Sequence, residues 1–369
     1  MKNRLIVAAS ETDPDLLYAT RFFAPDPFVW LEKKGRTLVM LNDLEIDRGR
    51  QQAQVDEVVP QSEVARRAGL GERASFGECL LALLKQQRVR SAVVPAGFPF
   101  GLAAELMKGG IALEPLPGLF FPEREFKNAE ELRAMRRALA ITEAGMGRAM
   151  EVLSAATIGP RKRLQWGGRA LTSERLRAEI DSAVLHAGGQ PANTIVAGGN
   201  QACDPHERGH GPLLADSLIV LDIFPRDAKS GYYGDMTRTV VRGRASDAQR
   251  QLWETVLEAQ QAVIRKMKPG ADGEAIHRDV VGFFRERGYP TRQENGRWTG
   301  FFHGTGHGLG LEIHEPPRFA RTRMKPGQVI TVEPGLYYPG LGGVRIEDVA
   351  TITESGARLL SRFEKRLEL

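Results

Sequence analysis

A glycine-rich segment that carries three histidines constrains the fold of this chain more than any other stretch does. Residues 302–315 read FHGTGHGLGLEIHE, and they contain three of the seven histidines in the sequence. In a helix interior each glycine costs about 1 kcal/mol relative to alanine, and glycines lie on both sides of His307. His303 and His307 are therefore not expected to share a helical face. The composition predicts an extended segment whose backbone approaches another part of the protein closely.

The apolar side chains of this segment indicate a strand that is buried on one face. Leu309, Leu311 and Ile313 alternate with other residues, as in a half-buried strand. His307 and His314 are an odd number of residues apart, so an uninterrupted strand would direct their side chains to opposite faces. If the two histidines belong to one site, we expect a bend at one of the glycines between them. A polar loop that carries histidines by chance is the alternative.

Length and composition describe a globular, intracellular protein. A chain of 369 residues is long for one core, so we expect two domains. The 51 basic and 46 acidic residues give a formal net charge of +5 without long runs of one sign, which argues against nucleic-acid binding. The two cysteines predict a reducing cytoplasm rather than a disulfide framework. Because apolar runs stay well short of the roughly 18 residues of a membrane span, we expect no membrane association.

The first third of the chain alternates strand and helix patterns, which predicts a small α/β domain. The predicted elements are strands at Leu5–Ala8, Thr37–Leu41 and Ser91–Pro95, a helix from Ser75 to Gln87 and a helix from Phe98 to Lys108. Prolines 115, 117 and 122 then interrupt any helix and mark a boundary. We therefore divide the chain into residues 1–124 and residues 125–369.

The second part of the chain shows one order of elements twice. Asn128, with Glu131 three residues later, predicts the capped start of a long helix, and a shorter helix is expected from Ser173 to about His186. Ser246 begins a second long helix, and Glu274 to Arg287 forms a second short one. Each pair of helices leads into strands, so an internal duplication is a hypothesis that this pattern raises.

Four acidic residues lie at the ends of predicted strands, where apolar residues are expected. They are Asp222, Asp235, Glu333 and Glu347. Burying one carboxylate without a partner costs several kcal/mol, so four need compensation. Salt bridges to Arg238 and Arg345 are one interpretation. The other adds His307 and two divalent cations, because carboxylate oxygens with one imidazole suit Mn²⁺, Co²⁺ or Zn²⁺.

These residues resemble those of the pita-bread metallopeptidases from about residue 128 to the end, and the whole chain resembles the Xaa-Pro branch, prolidase and aminopeptidase P. The matching pieces are Asp222, residues 231–239, residues 303–314, residues 331–335 and residues 344–348. The resemblance implies an α+β protein. A small N-terminal α/β domain, similar to the creatinase N-terminal domain, would precede a catalytic domain with a curved, mostly antiparallel sheet and backing helices.

The resemblance also implies a set of site residues. The implied metal ligands are Asp222, Asp235, His307, Glu333 and Glu347, with Asp235 and Glu347 bridging two divalent ions, of which manganese is favoured over cobalt or zinc. Glu333 would also move the proton, His314 would donate to the developing oxyanion, and His206 and Arg345 would orient the proline end of the substrate. His303 matches a further active-site histidine, or only packs against the glycine-rich segment. The implied assembly is a homodimer.

The implied reaction is cleavage of the peptide bond before proline, and several alternatives remain. The substrate is a dipeptide for a prolidase or a longer peptide for an Xaa-Pro aminopeptidase, and the sequence does not distinguish them. Methionine aminopeptidases generally lack such an N-terminal domain, whereas creatinase-like hydrolases and inactive binding modules usually lose metal ligands. One departure from the family pattern is the stretch Ile223–Arg226, which replaces a small glycine-containing turn and is expected to reshape the pocket wall. Asp227 is an alternative ligand to Asp222.

Overall fold

The computed structural model describes residues 2–71, 73–294, 296–320 and 322–369. The chain forms two compact units, Met1–Arg124 and Glu125–Leu369. Among the described residues, none of the helices combines the length and hydrophobicity that crossing a membrane requires.

The first unit is built on a six-stranded mixed sheet with the strand order β4-β3-β2-β1-β5-β6. Its strands are β1 (Arg4–Ala8), β2 (Phe28–Lys33), β3 (Arg36–Leu41), β4 (Glu57–Pro60), β5 (Ser91–Pro95) and β6 (Ala112–Leu116). Its helices are α1 (Pro14–Thr20), α2 (Ile46–Gln52), α3 (Gln61–Arg67), α4 (Phe76–Gln86) and α5 (Phe100–Lys108). Alternate residues of β1 enter two different apolar clusters, so both faces of the sheet are covered. The strands and helices predicted for this part of the chain are confirmed.

Four long helices of the second unit form where the sequence predicts them. They are α6 (Ala129–Ala155), α7 (Ser173–His186), α8 (Asp247–Lys266) and α9 (Gly273–Glu286). The side chain of Asn128 accepts hydrogen bonds from the backbone at the start of α6 while Glu131 bonds back to Asn128, and Ser246 and Gln249 do the same for α8. These capping boxes satisfy backbone donors that a helix start leaves open, which explains why the starts could be predicted.

Within its described residues, the second unit also contains seventeen strands. They are β7 (Thr157–Ile158), β8 (Leu164–Trp166), β9 (Arg169–Ala170), β10 (Gly189–Gln190), β11 (Ile195–Gly198), β12 (Leu218–Ile223), β13 (Arg226–Asp227), β14 (Met236–Val241), β15 (Arg292–Glu294), β16 (Arg297–Thr299), β17 (His307–Gly308), β18 (Glu315–Arg318), β19 (Val329–Val332), β20 (Gly335–Tyr338), β21 (Gly342–Arg345), β22 (Asp348–Thr353) and β23 (Gly356–Leu359).

Two antiparallel sheets and a hairpin carry the acidic strand ends of this unit. The sheets have the orders β11-β12-β14 and β18-β17-β19-β22-β23, and β20 pairs with β21. One apolar cluster joins α6 and α7 to the first sheet, and another joins α8 and α9 mainly to the second. Each helix pair thus backs its own sheet. The duplication hypothesis stays a hypothesis.

The strand predicted through Ile313 is wrong. β17 ends at Gly308, the antiparallel register shifts between His307 and Gly308, and the chain bends from Gly310 to His314. A Cβ atom on Gly308 would lie 2.3 Å from the carbonyl oxygen of Pro316, so the glycine permits a close backbone approach. The apolar alternation comes from a buried loop instead of a strand. The expected bend between His307 and His314 is confirmed.

Candidate active site

One cavity of the second unit gathers all nine residues that the sequence singled out. Its volume is about 860 Å³. The lining includes the five candidate ligands Asp222, Asp235, His307, Glu333 and Glu347, together with His206, His303, His314 and Arg345. These residues are spread over more than 100 positions of the sequence, from His206 to Glu347, so only the tertiary fold brings them together.

Strand ends place the carboxylates next to one another. Asp222 on β12 lies opposite Thr237 on β14, and Asp235 immediately precedes β14. Glu333 follows the last residue of β19, and Glu347 precedes the first residue of β22, which pairs with β19. In an antiparallel pair one strand ends beside the start of the other, so residues that flank these ends lie close together.

The centre of the cluster is a group of three buried side chains. Ligand atoms of Asp235, His307 and Glu347 all lie within 4.8 Å of one another. The Nε2 atom of His307 lies 3.8 Å from Oδ2 of Asp235 and 3.2 Å from Oε1 of Glu333. Asp235, His307 and Glu347 are each at most 5% exposed. A metal site needs this convergence of ligand atoms within one small volume.

The hydrogen bonding of His307 leaves a lone pair directed at these carboxylates. Its Nδ1 lies 3.1 Å from the carbonyl oxygen of Gly308, a contact that places the ring proton on Nδ1. Burial lowers the pKa of His307 to about 4, so the ring is neutral. The Nε2 lone pair therefore faces the oxygen lone pairs of Asp235 and Glu333. Acceptors that face acceptors fit a bound cation between them.

The charges of the cluster point to the same conclusion. Burial, and then the neighbouring carboxylates, raise the pKa of Asp235 and of Glu347 well above their ordinary values, and burial raises that of Glu333 to about 7. The hydroxyl of Thr237 lies 2.9 Å from Oδ1 of Asp222 and 2.8 Å from Oε2 of Glu347, but it has only one proton to donate. The donor set of carboxylates and one imidazole therefore fits divalent metal ions, which supply the missing positive charge.

The salt-bridge interpretation holds for one of the four acids. Nη2 of Arg345 donates to Oδ2 of Asp222 at 2.8 Å, and its Nε donates to the hydroxyl of Thr237 at 3.1 Å. The predicted role of Arg238 as a partner of the four acids is wrong. Its Nη2 donates to Asp348 at 2.8 Å, and Asp348 is a further buried acid that is not part of the cavity lining. One arginine leaves most of the negative charge of the cluster uncompensated.

Tyr337 is a residue of this site that the sequence analysis missed. Its hydroxyl accepts a hydrogen bond from Nη1 of Arg345 at 3.1 Å and lies 2.9 Å from Nε2 of His303. Burial raises the pKa of Tyr337 to about 12 and lowers that of His303 to about 3, so both are neutral. Tyr337 is an even number of residues from Glu333, and strand alternation could have suggested that both face one site. Nδ1 of His303 contacts the carbonyl oxygen of Gly304 at 2.8 Å, which favours a packing role for His303.

Two other histidines present their rings to the cavity. His314 is exposed, and its ring lies 4.4 Å from that of His307, centroid to centroid, at an angle of 87°. Desolvation, and then the neighbouring His307, lower the pKa of His314 to about 4, so it is a neutral donor or acceptor. His206 is also exposed, and its backbone N–H donates to Oδ1 of Asp204 at 3.3 Å.

The rest of the lining decides two questions about the pocket. Asp227, the alternative ligand, lies outside the cavity and is bonded by Arg137, whose Nε donates to Oδ2 at 2.9 Å. Phe224 does line the cavity, as expected from the departure after Asp222. The sequence analysis missed two exposed cations in the lining, Arg208 and Arg318. The cavity therefore combines a cluster of acidic residues, an apolar wall residue and two exposed positive charges.

Comparison with known proteins identifies the family of the chain. The sequence model of metallopeptidase family M24 matches residues 133–354. The chain belongs to metallopeptidase family M24. Membership implies divalent metal ions, and the carboxylate cluster described above is a candidate site for them.

Individual relatives lie in the Xaa-Pro branch. The Xaa-Pro dipeptidase of Pyrococcus furiosus is 35% identical over 250 residues, which cover 66% of this chain and 65% of the relative. That of Pyrococcus horikoshii is 30% identical over 287 residues, which cover 76% of this chain and 75% of the relative. The chain thus spans slightly less than two thirds of the first relative.

Solved structures show the same fold over the whole chain. An Xaa-Pro dipeptidase from Bacillus anthracis has a TM-score of 0.83 at 24% identity, covering 100% of this chain and 95% of that one. An X-Pro aminopeptidase from Thermotoga maritima has a TM-score of 0.83 at 21% identity, covering 99% and 97%. The predicted fold, with its N-terminal domain and pita-bread domain of curved antiparallel sheets, is confirmed.

Proposed function

We propose that this protein is an Xaa-Pro dipeptidase that uses two divalent metal ions. The observation that carries the proposal is the single cavity in which five ligand residues surround a space that needs positive charge. The relatives named Xaa-Pro dipeptidase support the substrate class. Asp222, Asp235, His307, Glu333 and Glu347 would hold the ions. When bound, divalent ions polarise the scissile carbonyl and make water a stronger acid.

The residues of the chain would move the proton and stabilise the developing charge. The side chain of Glu333 is 17% exposed, more than those of Asp235 and His307, so it is accessible from the cavity to take a proton from water. It would then give that proton to the leaving nitrogen of proline, which becomes a secondary amine. His314 would donate a hydrogen bond to the developing oxyanion, an interaction worth about 3 kcal/mol in other hydrolases. His206 and Arg345 would orient the proline end.

Proline is distinguished by its shape and by the N–H that it lacks. Its ring fixes φ and its imide nitrogen cannot donate a hydrogen bond, so a pocket for it needs an apolar wall and no acceptor at that point. Phe224 supplies such a wall in the cavity. The loop that follows α9 contributes to a different cavity, which Thr291 and Trp298 line.

Charge favours a dipeptide over a longer peptide. A dipeptide presents its free carboxylate one residue after the scissile bond, and guanidinium groups bind carboxylates through paired charged hydrogen bonds. Arg208 and Arg318 offer such groups in the same cavity as the candidate metal ligands. An Xaa-Pro aminopeptidase is the second candidate, which the likeness to the Thermotoga maritima enzyme keeps in view.

We further propose manganese as the physiological ion, a homodimer and a cytoplasmic location. The oxygen-rich ligand set supports manganese, and the two free cysteines support a reducing compartment. Only the resemblance to the Xaa-Pro branch supports the dimer. Residues 1–124 would be the N-terminal domain and residues 125–369 the catalytic domain, in agreement with the two compact units and with the family match inside the second.

Three substrates test the function and its specificity together. The manganese-loaded enzyme should hydrolyse Gly-Pro, with a kcat/KM about tenfold or more above that for Gly-Pro-amide and Gly-Pro-Gly, because a charged hydrogen bond contributes about 1.5–3 kcal/mol. Gly-Pro-amide is the matched control, since it differs from Gly-Pro only in the lost carboxylate charge. Faster cleavage of Gly-Pro-Gly would identify an aminopeptidase. An enzyme that cleaves none of the three substrates would contradict the proposal.

A further inference from the structure

The loop that ends at His314 folds around a buried carboxylate. Residues 309–314 connect β17 to β18, and we refer to them as the histidine loop. Glu315 follows the loop and is 2% exposed. Its Oε1 lies only 2.4 Å from the position that a Cβ on Gly310 would occupy, and the backbone N–H of Glu312 points to its Oε2 at 3.4 Å. The carboxylate of Glu315 thus lies directly against the backbone of the loop that precedes it.

The histidine loop is tied to segments that carry candidate metal ligands. Gly308, next to His307, pairs with Glu315 across the β17–β18 ladder. The carbonyl oxygen of Gly310 accepts a hydrogen bond at 2.9 Å from the N–H of Tyr233, two residues before Asp235. The backbone conformation around Glu315 therefore affects the position of the His314 ring beside the ring of His307.

A lysine from another part of the unit neutralises this carboxylate. Nζ of Lys127, in the segment that leads into α6, is bonded to Oε1 of Glu315, and both side chains are only 1% exposed. The N–H of Lys127 donates to the carbonyl oxygen of Gly327 at 2.8 Å, which fixes the backbone of the lysine. A buried ion pair commonly stabilises a fold no more than apolar side chains of the same volume would. What it adds here is a charged acceptor at the centre of the histidine loop.

We infer that Lys127 and Glu315 are positioning residues for His314. Within the described residues, the ring nitrogens of His314 form no hydrogen bond to the protein, so the backbone of the histidine loop and the edge-to-face contact with His307 set the orientation of the ring. The ion pair fixes that backbone from behind. This inference rests on the proposed function, in which His314 donates to the oxyanion.

A double-mutant cycle with His314 tests the inference. Glu315→Gln keeps the size and the acceptor oxygen but removes the charge. We expect it to lower kcat on Gly-Pro about tenfold, at full metal content and with little change in KM, when His314 is present. In the His314→Ala background the same substitution should lower kcat less than about twofold, because coupled residues are non-additive. An equal loss in both backgrounds would show a merely structural role and overturn the inference.

Two further variants separate positioning from general stability. The uncharged pair Lys127→Met/Glu315→Gln leaves no isolated charge in the core, so it should fold even if a single variant does not, and it should show the same dependence on His314. Arg124→Met is the control in the other unit, where it breaks the ion pair of the buried Arg124 with the half-buried Asp15 at 2.7 Å. It should lower Tm while leaving kcat per metal-loaded enzyme unchanged. An equal loss of kcat in Arg124→Met would contradict the inference.

A readout without substrate separates this inference from the proposed function. In protein with isotope-labelled histidine, Glu315→Gln should shift the ring signals of His314. The signals of His277, whose Nδ1 lies 2.8 Å from the hydroxyl of Thr305, should stay in place. Unmoved His314 signals would overturn the positioning role. Shifted signals in a protein that does not cleave Gly-Pro would reject the proposed function while leaving the positioning role standing.

Discussion

Glu347 and Asp348 are neighbours in the sequence but belong to two buried clusters of side chains, and their pKa values are shifted in opposite directions. Asp348 is 1% exposed and accepts hydrogen bonds from Arg238 at 2.8 Å, Gln260 at 3.0 Å and Ser361 at 3.0 Å. Lys365 forms a further ion pair with it. Burial acts to raise the pKa of Asp348, but the charges of Arg238 and Lys365 hold it below its ordinary value. This cluster is complete within the chain.

Glu347, one residue earlier and 2% exposed, has a different set of neighbours. Its Oε2 accepts a hydrogen bond from the hydroxyl of Thr237, and it faces Glu333 and Asp222. Burial and these carboxylates raise its pKa well above the ordinary value, although Arg345 opposes the shift. Glu347 and Asp348 are buried to nearly the same depth, so burial cannot account for the difference between them. The compensating charges account for it, and those of the Glu347 cluster must come from solution.

The largest expected effect is the loss of metal from the Glu347 cluster. Glu347→Gln removes the charge of one candidate ligand, whose oxygen lies within 4.8 Å of ligand atoms of both Asp235 and His307. We expect loss of both bound ions and a fall in kcat/KM of about three orders of magnitude or more, since metal ions supply several kcal/mol of transition-state stabilisation. Elemental analysis of the dialysed protein measures the metal content. Full metal content in this variant would contradict the distinction between the Glu347 cluster and the Asp348 cluster.

In the metal-free protein the same substitution should not lower the stability, and this expectation provides a control. Without ions the carboxylates of the cluster repel one another, so Glu347→Gln should unfold at a denaturant concentration equal to or higher than the metal-free wild type does. Added manganese should stabilise the wild type, by about 2.7 kcal/mol at a hundredfold excess over Kd, and leave the variant unaffected. If the variant were less stable than the metal-free wild type, Glu347 would stabilise the fold itself, as Asp348 does.

The next effect belongs to the complete cluster. Asp348→Asn leaves the buried charge of Arg238 and the half-buried charge of Lys365 without their carboxylate, and breaking a buried pair in this way costs about 3–5 kcal/mol. We expect a lower free energy of unfolding in urea, with the metal content per folded chain retained. If this variant instead released metal at unchanged stability, the distinction between the two clusters would fail.

Much of this architecture could be predicted from local sequence patterns, whereas contacts between distant strands could not. The capping boxes at Asn128 and Ser246 and the acids that end β12 and β19 are visible in a few consecutive residues. Whether Arg238 bonds to Asp348 or to one of the four candidate ligand acids depends on how β14 packs beside β22, which no local pattern in the sequence indicates. The histidine loop misled because buried loops and half-buried strands can share the same apolar alternation.

The smallest effect compares one hydroxyl in each cluster. Thr237→Val removes the hydroxyl that bridges Asp222 and Glu347, with little change in shape. Ser361→Ala removes the hydroxyl that donates to Asp348 and accepts from the N–H of Val349 at 3.2 Å. Substituting the hydrogen-bond partner of a metal ligand typically lowers metal affinity about 10–100-fold. Thr237→Val should therefore weaken manganese binding by at least about tenfold.

Ser361→Ala should act on stability instead of on metal binding. Losing a buried hydrogen bond costs about 1–3 kcal/mol, which urea unfolding can measure, and the dissociation constant for manganese should stay within about twofold of the wild type. Calorimetric titration of both variants with manganese provides the comparison. The hydroxyl groups differ little in burial or bonding, so the readout that each substitution changes depends on the cluster to which it belongs. If both variants weakened manganese binding equally, the two clusters would act as one electrostatic unit despite their opposite pKa shifts.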